Sequence, residues 1–145
     1  MTLDDRMQEI YKNHFGYDDE EVRAFMESPR NQDVLAKGAA LMEKTIVVEV
    51  IESHGCNSQH KVGDKIYFDG AGNLLTKLCP RKICIYALAP MDKMVFAANE
   101  LFYAGVDPNE MRFKRSGCFD VGLKCGGWGH IVMEVKVQDR ERAGA

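Results

Sequence analysis

The sequence predicts an α+β protein: an N-terminal helical segment followed by a compact core of three to four mostly antiparallel strands and two helices. Three observations carry that prediction. Through residues 1–43 the apolar side chains recur three to four positions apart, the repeat of one helical face. At Lys44 the pattern changes to a β-branched run, Thr45-Ile46-Val47-Val48-Glu49-Val50-Ile51, which reads as a strand buried on both faces. Far downstream, Ile131, Met133, Val135 and Val137 alternate with Val132, Glu134 and Lys136, the period of a half-buried strand. The expected organisation is a helical extension over 1–43, a Cys/His core over 44–138 and a frayed charged tail over 139–145.

The elements follow in order. Leu3, Met7, Ile10, Tyr11 and His14 share a face of a first helix, with Thr2 and Asp5 placed to cap its start. Phe15-Gly16-Tyr17 breaks it. Asp18 and Asp19 open a second helix carrying Val22, Phe25 and Met26, which Pro29 stops. A third runs from about Gln32 to Met42, weakened at Gly38 by about 1 kcal/mol relative to alanine. After the strand at Lys44, Lys61-Val62-Gly63-Asp64 turns the chain into a second strand, Lys65-Ile66-Tyr67-Phe68-Asp69. Leu74 to Leu78 reads as a further short strand. Pro80 is suited to the first position of a helix, which makes Cys79 its N-cap. Ile83, Ala87 and Leu88 line that helix, and Pro90 ends it. Met94, Val95, Ala98, Leu101 and Phe102 form the stripe of a longer helix over about 91–104. Residues 111–123 read as irregular with short extended pieces.

Composition narrows the function. The chain has 145 residues, 46% hydrophobic and 28% charged, with a net charge of −3. That balance gives no electrostatic drive toward nucleic acid or an anionic membrane. The basic triplets Lys77/Arg81/Lys82 and Arg112/Lys114/Arg115 read as solvated faces. No apolar run approaches the length of a membrane span, and the charged start Met1-Thr2-Leu3-Asp4-Asp5-Arg6 lacks the apolar core of a signal peptide. The expected compartment is therefore the cytoplasm, where thiols stay reduced and cysteines serve metals, catalysis or packing before disulfides.

All five cysteines and three of the four histidines fall between His54 and His130. They form three clusters, His54 to His60, Cys79 to Cys84 and Cys118 to His130, each beside glycine, proline or a polar turn. A four-ligand zinc site draws on Cys and His from such turns. Cys56 with His60 is a tight pair. Cys79, at the expected helix start, has free N–H groups to favour a thiolate. Cys118 lies in a loop. The candidate metal set is thus Cys56, His60, Cys79 and Cys118, with Cys125 or His130 as substitutes. Cys84, between Ile83 and Ile85, reads as core, and His14 as structural. A Cys–His nucleophile is the alternative chemistry: Cys79 with His60, oriented by Asp64 or Asp120.

From Lys44 to Val137, about two thirds of the chain, the sequence resembles a family of small, largely uncharacterised bacterial and archaeal proteins. Their pattern is a strand, a Cys, Gly-His-Lys-x-Gly-Asp, a Cys-Pro opening a helix, and a late Cys-Pro-Asp before a last strand. Here those positions read Cys56, Gln59-His60-Lys61-Val62-Gly63-Asp64, Cys79-Pro80 and Cys118-Phe119-Asp120, with Gln59 replacing the glycine and Phe119 the proline. The resemblance implies the same four residues and no particular activity. The expectation is a metal-binding protein with zinc or an iron–sulfur cluster, an accessory subunit of a larger bacterial enzyme system, with a protein partner or as a homo-oligomer. An enzyme with a low-pKa Cys79 and an interaction module without metal are the alternatives.

Overall fold

The computed structural model describes residues 2–140, so the expected tail lies, beyond Arg140, outside the described residues. The chain forms two compact units that divide between Ala40 and Leu41. In the first, α1 (Leu3–Phe15) begins with a capping box: Asp5 N–H donates to the Thr2 hydroxyl at 3.1 Å, and Thr2 N–H to the Asp5 carboxylate at 3.0 Å. These bonds satisfy donors that a helix start leaves orphaned. Asp18 and Glu21 repeat the device at α2 (Asp19–Met26), with both bonds at 2.9 Å. Pro29 does more than stop α2. It is the first residue of α3 (Pro29–Met42), which therefore starts ahead of Gln32, because proline's missing N–H is no loss in a first turn. Gly38 has a reason to be there: the Tyr11 hydroxyl occupies the space a Cβ would fill. His14 is exposed rather than packed, and its ring meets Phe15 edge-on at 4.8 Å.

The second unit is built on one four-stranded sheet of order β2-β1-β4-β3, with every pairing antiparallel. The strands are β1 (Lys44–His54), β2 (Lys65–Asp69), β3 (Arg115–Gly117) and β4 (His130–Asp139). β1 is central, and Thr45, Ile46, Val47, Val48 and Val50 are all buried, which is why its sequence lacks alternation. One core joins Ile46, Val48, Val50, Ile131, Met133 and Val135 of the sheet to Met91, Met94, Val95 and Ala98 of α5 (Met91–Tyr103). Each such fully buried side chain contributes about 1.5–3 kcal/mol relative to exposure. A short helix, α4 (Ile85–Leu88), precedes α5. The architecture is α+β, with four strands and these two helices in the core.

Three local expectations need correction. Leu74–Leu78 is not a strand: a single bridge pairs Phe68 with Leu74, and turns follow. Cys79-Pro80 opens no helix; the chain stays irregular until Cys84, which is the N-cap of α4. β4 continues through Gln138 and Asp139, paired with Thr45 and Lys44, and Lys44 Nζ reaches the Asp139 carboxylate at 2.9 Å. Among the described residues, no helix is long and apolar enough to cross a membrane.

Candidate thiol cavity

β1 and β4 pair as far as His54 opposite His130, and β3 ends beside them at Gly117 opposite Val132. The loops leaving these strand ends, together with the start of α4, enclose a cavity of about 610 Å³. The register of β1 against β4 shifts between Val50 and Glu52. Such a bulge bends and twists a strand, and it lies just before the cysteine loop. Beyond the strand ends the two backbones cross in contact: a Cβ on Gly129 would collide with the carbonyl of Gly55.

The 55–64 loop is fastened by His60, which is 5% exposed. The Ser53 hydroxyl donates to the His60 carbonyl at 2.6 Å. The Cys84 N–H donates to His60 Nε2 at 3.1 Å. An amide can only donate, so Nε2 must present its lone pair to Cys84, and the proton of the neutral ring sits on Nδ1, which faces Asp64 at 3.9 Å. Gln59, just before it, has φ +61°, a left-handed conformation. The glycine of the resembling pattern suits this position, and glutamine accepts a cost of about 1–2 kcal/mol there.

Cys79 is turned elsewhere. Its sulfur accepts from the Tyr67 N–H at 3.3 Å and faces the Tyr67 carbonyl at 3.7 Å. Burial pushes this thiol above its ordinary value, with the Tyr67 hydrogen bond only partly opposing. The thiolate expected at Cys79 is therefore overturned: with no helix behind it, it has no row of free N–H groups.

Cys84 takes that place. It is half-buried, packed against the core on one side and lining the cavity on the other. Burial alone would raise its thiol. The Ser58 hydroxyl, then the N–H groups of Tyr86 and Ala87, outweigh burial and bring it below its ordinary value, against the opposing charge of Asp120. The sulfur makes no capping hydrogen bond of ordinary geometry, and the Ala87 N–H donates to the Cys84 carbonyl at 3.1 Å. Cys84 is also the cysteine that opens a helix, the role the resemblance gives to Cys79.

The third wall is the 118–130 loop. Asp120 organises it: its carboxylate accepts from the N–H groups of Gly122 at 2.9 Å, Trp128 at 3.0 Å and Gly129 at 3.1 Å. Hydrogen bonds from Gly122 and then Gly129 hold its carboxyl below the usual carboxylate range. His130 Nδ1 meets the Asp120 carbonyl, which can only accept, and lies 3.6 Å from the Cys118 sulfur. Cys118 also accepts from the Ile131 N–H at 3.4 Å. Phe119 donates its N–H to the Tyr86 carbonyl at 3.1 Å, a bond that the proline of the resembling pattern would lack.

A pH dependence follows from Asp120. A lowered carboxyl in the folded state gives stability that is present above the unfolded value and lost as pH falls through the folded one. Loop order should therefore be complete at neutral pH and fail only once the pH falls below the ordinary carboxylate range. In Asp120→Asn, amide exchange at Gly122, Trp128 and Gly129 should be about tenfold faster near neutrality and no longer respond to acid as in the wild type. Unchanged protection at all three amides would contradict the role given to Asp120.

Of the four candidate ligands, Cys56, His60 and Cys118 line this cavity and Cys79 does not; the substitutes Cys125 and His130 do. His54 is exposed on the ladder. Sequence reasoning missed Cys84 and Ser58, for which nothing local signals a role. The Asp120-Val121-Gly122 turn could have been found, since Asp before such a turn commonly bonds its own backbone. Among the described residues, no group of three or more Cys, His, Asp or Glu side chains is placed to hold a metal ion. No protein-family model, no curated protein and no solved structure gives a significant match to this chain, so the resemblance rests on the Cys and His pattern alone.

Proposed function

We infer that the protein works through Cys84, as a thiol nucleophile toward a small molecule held in the cavity. The observation that carries this reading is the place of Cys84 in the cavity wall, at the N-cap of α4; the lowering of its thiol agrees with it. A thiolate, not a thiol, is the attacking species, and the surroundings of this sulfur favour it. Its electron pair would form the new bond to an electrophilic carbon of the substrate as a π bond at that carbon opens, the displaced pair being taken up with a proton from water.

Timed alkylation with iodoacetamide near neutral pH, read by peptide mass mapping, tests the assignment. Cys84 should react at least about tenfold faster than Cys79, with exposed Cys125 marking the ordinary rate. Cys84→Ser should remove the fast phase and Cys79→Ser should leave it. A Cys84 no faster than Cys125 would sink the reading.

One observation favours a second reading. Cys56, Cys84 and Cys118 line the same cavity from three segments, and soft thiols of this kind suit zinc or an iron–sulfur cluster. The set of Cys56, His60, Cys79 and Cys118 does not fit: Cys79 is held at Tyr67, and the Nε2 of His60 is engaged by Cys84. Stoichiometric zinc or iron in anaerobically purified protein, lost in Cys84→Ser, would establish the metal reading over the catalytic one. A role as accessory subunit belongs with that outcome.

A further inference from the structure

Three aromatic side chains stand open at this cavity. Tyr86, Phe119 and Trp128 are 57%, 78% and 71% exposed, and all three line it. Large apolar groups gathered in the open around one cavity mark a binding surface. Their backbones are fixed from beneath. The rings of Tyr86 and Phe119 lie 5.8 Å apart at 30°, over the Phe119 N–H to Tyr86 carbonyl bond. Trp128 is tied by its N–H to Asp120.

The charges around the cavity are equally selective. Among the described residues, no lysine or arginine lines it, and the one carboxylate that does, Asp120, is engaged by the amides of Gly122, Trp128 and Gly129. His60 Nε2 faces the Cys84 N–H, and His130 Nδ1 the Asp120 carbonyl. A phosphate or carboxylate entering here would meet no fixed positive charge to offset its desolvation, and Asp120 would repel it. The volume of about 610 Å³ is that of a small-molecule site.

We propose that the cavity binds an uncharged, flat aromatic or conjugated small molecule, its ring laid against Tyr86, Phe119 and Trp128 and its other end toward Cys84. This deepens the thiol reading and rests on it for the identity of the working site, but ring binding is measurable without the thiol. Trp128 is the one tryptophan of the chain, so its fluorescence reports on the mouth of the cavity alone.

The test titrates wild type and Cys84→Ser with 4-nitrobenzyl alcohol and with 4-nitrobenzoate, both quenchers of tryptophan, at about pH 8, where an ordinary imidazole is neutral. The neutral ring should quench saturably in both proteins, at least about tenfold more tightly than the anion. Phe119→Ala, at an exposed position, should weaken it about fivefold. Val121→Lys, an exposed lining residue, should bring the anion to parity. Linear, collisional quenching by both compounds, or equal affinities in the wild type, would overturn the proposal. Selective ring binding with an unreactive Cys84 would reject the thiol reading and keep this one; a fast Cys84 without saturable quenching would do the reverse.

Discussion

Gly129→Ala is expected to destabilise the protein by about 3 kcal/mol, the upper end of overpacking costs, and to abolish the cavity's binding of neutral rings. The new methyl would meet the Gly55 carbonyl and the Cys56 nitrogen, all backbone atoms that cannot rotate aside. Only a separation of the 55–60 loop from the start of β4 relieves the collision, and that separation opens the wall shared by Cys56 and Trp128. Gly126→Ala is the matched comparison. Its Cβ would meet no atom within 4 Å, but its φ of +93° is left-handed, so it should cost about 1 kcal/mol through strain alone. Urea unfolding followed by circular dichroism gives both values, and the idea fails if Gly129→Ala unfolds within about 0.5 kcal/mol of wild type, the spread of ordinary surface changes.

The second large effect belongs to His60. His60→Ala leaves the Cys84 N–H without its acceptor, a loss of about 1–3 kcal/mol for a donor removed from water. It also frees the loop that carries Ser58 from the start of α4. Cys84 should then lose the hydroxyl that favours its thiolate, and its alkylation should slow to the rate of Cys125. His60→Gln, which keeps an acceptor on the side chain, should restore part of both. Fast alkylation of Cys84 in His60→Ala would show that the two segments stay together without the imidazole.

These two residues also show where sequence reading succeeds and where it stops. Features fixed by near neighbours were legible: the cap at Thr2/Asp5, the start of α2 at Asp18, the stripe of α5, the buried run of β1 and the alternation of β4. Cys56, His60 and Cys118, each beside a turn, line one cavity. What failed depends on distant partners. Proline's preference for a helix start pointed to Cys79, yet α4 begins after Cys84, whose N–H is claimed by His60 across the fold. Burial raises the Cys79 thiol, whereas Ser58 and the first amides of α4 outweigh burial at Cys84, surroundings that no spacing encodes. His14 followed the helical repeat but emerged on the solvent side of α1.

The pairing of β1 with β4 has a consequence for the order of assembly. Cys56 through Cys125 all precede His130 in the chain, so every thiol leaves the ribosome before the strand that closes the cavity exists. Contacts between segments so far apart in sequence form late and slowly. Until β4 docks, Cys84 has neither the wall completed by the Gly55–Gly129 crossing nor the loop that Asp120 orders. The nascent chain therefore passes through a stage in which its thiols are open to oxidants and to one another before the cavity closes around them.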